Sequence, residues 1–137
     1  MSRDTQKRIK ILVVDDEKDF IDAVRSLLEE RGYSIDYAND GIGALEIVKK
    51  DKPDLILLDV VMPNMDGMTL LKKLKEKNET KDIPVIMLTV KDGQANRNQG
   101  LVTGAYEYIS KPYDSLVLLR QIRNILEKTG KLERKID

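Results

Sequence analysis

Short apolar runs alternate with amphipathic stretches along the whole chain. The first run, Ile9 to Val14, is rich in β-branched residues and predicts a buried strand. Phe20, Ile21, Val24, Leu27 and Leu28 then recur at helical spacing, and Gly32 is placed to stop that helix. Tyr33 to Ala38 alternates weakly and predicts a more exposed second strand. Ile42, Ala44, Leu45 and Val48 mark a helix that starts near Asp40 and must end before Pro53. Leu55 to Leu58 is a short, wholly apolar third strand, followed by a lysine-rich helix through Met68, Leu70, Leu71 and Leu74. Pro84 to Thr89 reads as a fourth strand and Ala105 to Ile109 as a fifth. Between them, Lys91 to Gly100 is polar and barely periodic, so a helix there is expected to be loosely held. Leu116, Leu119, Ile122, Ile125 and Leu126 line a last helix, and Leu116 with Leu118 broadens its stripe into what reads as a wide core face or a dimer surface.

Five strand–helix pairs in succession predict an α/β domain with a parallel sheet covered on both faces. No repeat and no linker rich in Gly, Ser or Pro divides it. The expected layout is an N-terminal tail at 1–8, one domain at 9–128 and a charged C-terminal tail at 129–137, too short to form a further domain.

Ligands of open parallel sheets bind beyond the carboxyl ends of the strands. The residues expected there are Asp15 and Asp16 after the first strand, Asp59 after the third, Thr89 ending the fourth, and Lys111 soon after the fifth. Singly, each has a plain reading: Asp16 as a helix N-cap, Asp59 as a turn residue, Thr89 as a strand residue, Lys111 as a solvated turn lysine. Their coincidence at successive strand ends argues for one site. Three close carboxylates repel unless a cation sits among them, and an all-oxygen donor set suits Mg²⁺. A metal beside a carboxylate, a hydroxyl and an ammonium is an arrangement for phosphoryl transfer. Asp59, standing alone, is the expected nucleophile, with the Asp15–Asp16 pair holding the metal.

Composition narrows the alternatives. Among 137 residues, Lys plus Arg and Asp plus Glu number 24 each, so no overall charge favours nucleic acid or an anionic membrane. The chain has no cysteine, which removes disulfides and thiolate metal sites, and no histidine, which removes a Ser-His-Asp triad and any phosphohistidine of its own. The N-terminal MSRDTQKRIK is too polar for a secretory signal, and no apolar run is long enough to span a bilayer. A cytoplasmic protein without direct nucleic-acid or membrane binding is expected.

The segments ILVVDDE (11–17), LILLDVVMPNMDG (55–67), PVIMLT (84–89) and GAYEYISKPY (104–113) resemble the receiver domain of two-component response regulators, chemotaxis regulators included. The resemblance runs from about Lys10 to Leu126. It implies a flavodoxin-like, doubly wound five-stranded parallel sheet of order 2-1-3-4-5 with helices on both faces. It also implies that Asp59 is the phosphoacceptor, taking a phosphoryl group from a phosphohistidine of a sensor histidine kinase or phosphotransfer protein. Asp16 would bind Mg²⁺ directly, Asp15 largely through water, and Asp59 and the Val61 backbone carbonyl would complete the protein ligands. Thr89 would hydrogen-bond the phosphoryl group and Lys111 pair with it. Tyr108, which alone reads as a partly exposed aromatic on an outer strand, matches the aromatic that changes rotamer with Thr89. A cis Lys111–Pro112 bond is implied, as is a responding surface of the fourth helix, fifth strand and fifth helix. Such a protein is no conventional enzyme, though it catalyses its own Mg²⁺-dependent phosphorylation and dephosphorylation, and it is a monomer or weak dimer.

Three positions depart from the pattern or bear on it. Val90 stands where a small residue is usual, Val61 offers no polar group to an attacking water, and Lys91 adds a positive charge near the site. These features predict a long-lived phosphoaspartate. The alternatives are a pseudo-receiver that binds without being phosphorylated and an aspartate-nucleophile phosphatase of the haloacid dehalogenase type. The phosphatase requires an Asp at position 61, where Val stands. No Gly-rich phosphate loop follows Val14, which weakens a nucleotide-binding reading.

Overall fold

The computed structural model describes residues 8–90 and 94–133. Five parallel strands, β1 (Lys10–Val14), β2 (Ser34–Ala38), β3 (Leu55–Leu58), β4 (Val85–Thr89) and β5 (Glu107–Ser110), form one sheet in the order β2-β1-β3-β4-β5. Five helices connect or follow them: α1 (Lys18–Glu29), α2 (Gly41–Lys50), α3 (Gly67–Glu76), α4 (Gln94–Thr103) and α5 (Ser115–Lys128). This is the flavodoxin-like arrangement the resemblance implied. The interior strands β3 and β4 are buried at every position, because helices cover both faces. One face packs Leu12, Ile56, Leu58 and Met87 against α2 and α3; the other packs Ile11, Val13, Leu57 and Leu88 against α1 and α5.

Local chemistry fixes the helix ends. Asp40, Asp66 and Asp114 are N-caps whose carboxylates accept the amide hydrogens of Gly43, Thr69, and both Leu116 and Val117. Gly32, at φ +92°, takes the left-handed conformation needed just past α1. Helix α4 buries one residue, Gly100, as its weak periodicity suggested. Strand β5 begins two residues later than expected. Gly104, at φ +127°, and Ala105 are still engaged with the end of α4, where both amides bond the Gly100 carbonyl.

The last helix corrects one expectation. Leu118 is in the core, but Leu116, two residues away on a helix, is 64% exposed and lies outside the stripe. Beyond α5, Leu132 packs against the α1–α5 side of the core, and Lys131 pairs with Asp54 at 3.5 Å.

Lys75 ties α3 to the turn before β4. Its ammonium donates to the carbonyls of Lys81 (2.9 Å) and Ile83 (2.8 Å) in the turn leading to β4. Burial pushes its pKa down, with Asp82 acting in the other direction. Lys75→Met keeps the apolar stem and strands both carbonyls, so a loss of about 1–3 kcal/mol is expected. A urea midpoint equal to the parent's, at equal slope, would show that water replaces the ammonium at no cost.

Candidate functional site

The register of the sheet assembles the site. Val14 pairs with Leu58, so the residues that follow, Asp15 and Asp59, leave the sheet side by side. Their backbones are tied down: the Asp15 amide donates to Ala38 O (3.1 Å) and the Asp59 amide to Val14 O (3.0 Å). Both side chains are buried, and Asp16 beside them is exposed. Carboxylate oxygens of Asp15, Asp16 and Asp59 lie within 4.8 Å of one another. The N-cap of α1 is Glu17, whose side chain makes no capping bond, so Asp16 is not spent on that task.

One cation answers the buried pair Asp15 and Asp59, and Glu17 beside them. Lys111, whose side chain is 7% exposed, places its ammonium 2.5 Å from Asp15 Oδ2, 3.5 Å from Asp59 Oδ2 and 3.7 Å from Glu17 Oε1. The residue is anchored by its backbone, since its amide donates to Thr89 O at 2.9 Å; the Lys111–Pro112 bond is cis, as the resemblance implied. Burial pulls the Lys111 pKa down, but the bonded Asp15 carboxylate, with Asp59 and Glu17 nearby, raises it on balance; Lys111 is held as a cation. Burial raises the Asp15 carboxyl, and the Lys111 bond works against that rise. One ammonium among four carboxylates leaves an excess of negative charge. The donor set is all oxygen with no soft ligand, two groups buried and one open to solvent, and this fits a hard divalent cation such as Mg²⁺ that keeps several waters.

Thr89 is buried at the end of β4, and Tyr108, across from Met87 on β5, is 1% exposed. The partly exposed reading of Tyr108 therefore fails, because α4 roofs the ring. The Arg97 guanidinium sits 5.5 Å from the ring centroid, and Gly100 leaves room for the ring, since a Cβ there would come within 3.1 Å of it. Val61 and Val90 are both exposed beside Asp59 and Thr89. The Val61 amide donates to Asp59 Oδ1 at 3.2 Å. Lys91, expected to add positive charge, lies outside the described residues.

Two contributors were not visible in the sequence. Phe20 reads there as a core position of α1, yet its ring lies 3.8 Å beneath the Lys111 ammonium and meets Tyr113 edge-on at 5.9 Å. Gly67 sits directly behind Asp59, and its amide donates to Val60 O at 2.8 Å. The Asp66-Gly67 pair ahead of an apolar helix marks an N-cap, but not that close approach.

The sequence matches the family model described as "Response regulator receiver domain" over residues 11–123. It is 40% identical over 121 residues to Response regulator MprA of Mycobacterium leprae, which covers 88% of this chain and 52% of that protein. It is 41% identical over 116 residues to Response regulator PleD of Caulobacter vibrioides, which covers 85% of this chain and 26% of that protein. The chain thus spans about half of one relative and a quarter of the other. The fold superimposes on the chemotaxis protein CheY4 of Vibrio cholerae with a TM-score of 0.83 at 31% identity, covering 88% of this chain and 100% of that one. The receiver domain of the Francisella response regulator 1452 gives 0.83 at 35% identity, covering 90% and 100%.

Proposed function

Because this chain belongs to the response regulator receiver domain family, we propose that it is a phosphorylation-dependent signalling switch whose acceptor is Asp59. The observation that carries the reading is the meeting of Asp15, Asp16 and Asp59 at one sheet edge, with Lys111 paired to Asp15 and Asp59. The donor is a phosphohistidine on a sensor histidine kinase or phosphotransfer protein, since the chain has no histidine. An Asp59 carboxylate oxygen attacks phosphorus, the P–N bond breaks, and the leaving imidazole takes up a proton, which leaves an acyl phosphate on Asp59. Lys111 pairs with the equatorial oxygens and Thr89 donates its hydroxyl to one of them. Asp15, Asp16, Asp59 and the Val61 carbonyl would hold Mg²⁺, which when bound neutralises charge developing on the transferring group.

The phosphoryl group adds about two negative charges beside Thr89 and Lys111, and favours whichever conformer brings those donors inward. Tyr108 lies opposite Met87, two residues before Thr89 on β4, and packs under α4, so the surface of α4, β5 and α5 is where the change is expected to emerge. The receiver unit is assigned to residues 9–128, working in the cytoplasm as a monomer or weak dimer. No helix among the described residues is long and apolar enough to cross a membrane.

Intact mass after incubation with Mg²⁺ and acetyl phosphate tests the reading. A gain of one phosphoryl group that needs Mg²⁺ is expected. No gain points to a binding module that is not phosphorylated, and continuous phosphate release to a hydrolase. The lifetime of the label is a separate matter. Val61 gives an attacking water nothing polar to hold and the branched Val90 narrows access to Asp59, so the label is expected to be long-lived and Val61→Asn to shorten its half-life several-fold. An unchanged half-life in that variant removes the role given to Val61.

A further inference from the structure

Helices α2 and α3 lie on the same face of the sheet and leave between them a cleft of about 670 Å³ that shares no residue with the carboxylate site. Its floor is apolar, built from Ile42, Leu45, Val48 and Leu74, and Ile42 is 56% exposed. Its rims are basic on both sides, with Lys49, Lys50 and Lys52 along one and Lys73 and Lys77 along the other. Glu46 and Glu79 are the acidic lining residues, so five lysines against two glutamates leave a formal charge of +3 on a chain whose net charge is zero.

Among the described residues none of the five joins an ion pair, as is also true of Lys72, Lys81 and Lys128, whereas Lys10, Lys18, Lys111 and Lys131 are each held by a carboxylate. Complementing the dipole at a helix C-terminus accounts for a lysine near each helix end. It does not account for five of them flanking one cleft, nor for an isoleucine left open on its floor.

We propose that this cleft is a docking site for an acidic amphipathic helix of a partner protein. An apolar stripe with carboxylates on both flanks matches the floor and the two rims together, and α2 at ten residues offers a length of about 15 Å, room for two to three helical turns. A nucleotide is a poorer match. The lining holds no arginine, no aromatic face and no Gly-rich turn to cradle phosphates. The inference does not depend on phosphorylation at Asp59, because the two sites are separate.

The probe is a synthetic helix with leucines at i, i+4 and i+7 and glutamates on both flanks, titrated into the full chain and followed by amide NMR. Shifts concentrated at Ile42, Leu45, Leu74 and Thr80 are expected, with affinity falling about tenfold in Lys49→Glu/Lys73→Glu. Ile42→Glu is expected to weaken binding comparably, and its exposure lets the fold tolerate the change. Labelling by acetyl phosphate in these variants, expected to match the parent, shows that the fold is intact and keeps this test apart from that of Asp59. The proposal is overturned if the shifts are absent or spread over lysines elsewhere. It is equally overturned if a peptide with serine in place of leucine binds as well, which reports a general electrostatic patch. ATP producing the same shifts at lower concentration would identify a small-anion site instead.

Discussion

Asp59→Asn is expected to abolish the mass gain from acetyl phosphate completely, in a protein that melts no lower than its parent. The loss follows from chemistry, since a carboxamide oxygen does not displace a phosphoryl leaving group as a carboxylate does. The retained stability follows from the surroundings. Position 59 is buried beside Asp15 and Asp16 with Lys111 as the shared cation, and two unit charges at such distances repel by roughly 3–4 kcal/mol at an effective dielectric near 20. The amide removes one charge from this crowd, and its oxygen still accepts the Val61 amide hydrogen. Persistence of the label in the variant would move the acceptor to Asp15 or Asp16, and peptide mapping of the phosphorylated residue would show which.

Gly67→Ala is expected to damage both fold and site, although the residue carries no side chain and touches no substrate. A Cβ at position 67 would lie 2.1 Å from the Asp59 carbonyl oxygen and 2.8 Å from the Asp59 carbonyl carbon and the Val60 Cα. All three are backbone atoms that no rotamer change can clear. The turn between Asp59 and α3 is also closed on itself by the Gly67 N–H to Val60 O bond. Accommodation therefore requires Asp59 to move, at a cost of about 3 kcal/mol or more. A displacement of about 1 Å at a reacting group lowers rates roughly a hundredfold. Chemical denaturation and the initial rate of labelling measure the two effects. A variant close to its parent in both would show that the turn opens more easily than its contacts indicate.

Apolar periodicity located four helices and the buried strands β1, β3 and β4 closely, whereas the half-exposed β5 was placed two residues early and the barely periodic α4 was expected only as a loosely held helix. The carboxylates, Thr89 and Lys111 were legible for a related reason. A parallel sheet collects its strand ends, so order along the chain translates into proximity in space. Legibility failed where a residue's surroundings come from an element remote in sequence. Tyr108 looked half-exposed because nothing in its own strand announces that α4 covers it. Phe20 looked like ordinary core because its partner, Lys111, is ninety-one positions away. Gly67 carried no sign of its close approach to Asp59, which depends on how the turn folds back. The lysines of α3 showed in the sequence as one face of a lysine-rich helix, but only the fold sets them across a cleft from those of α2. Leu116 was misplaced on local grounds, since one extra apolar residue widens a stripe on paper without turning toward the core.

The single buried residue of α4 has a consequence for how this domain can diversify. Most helices here are committed to the core along a face, so a substitution there opens a cavity or overfills one. On α4 only Gly100 carries that obligation, and Arg97 rests on Tyr108 from outside. The remaining positions of α4 can be rewritten at little cost in stability. A lineage that duplicates this domain therefore has a helix beside the switch tyrosine on which new partner specificities can be tried while the acidic site stays untouched.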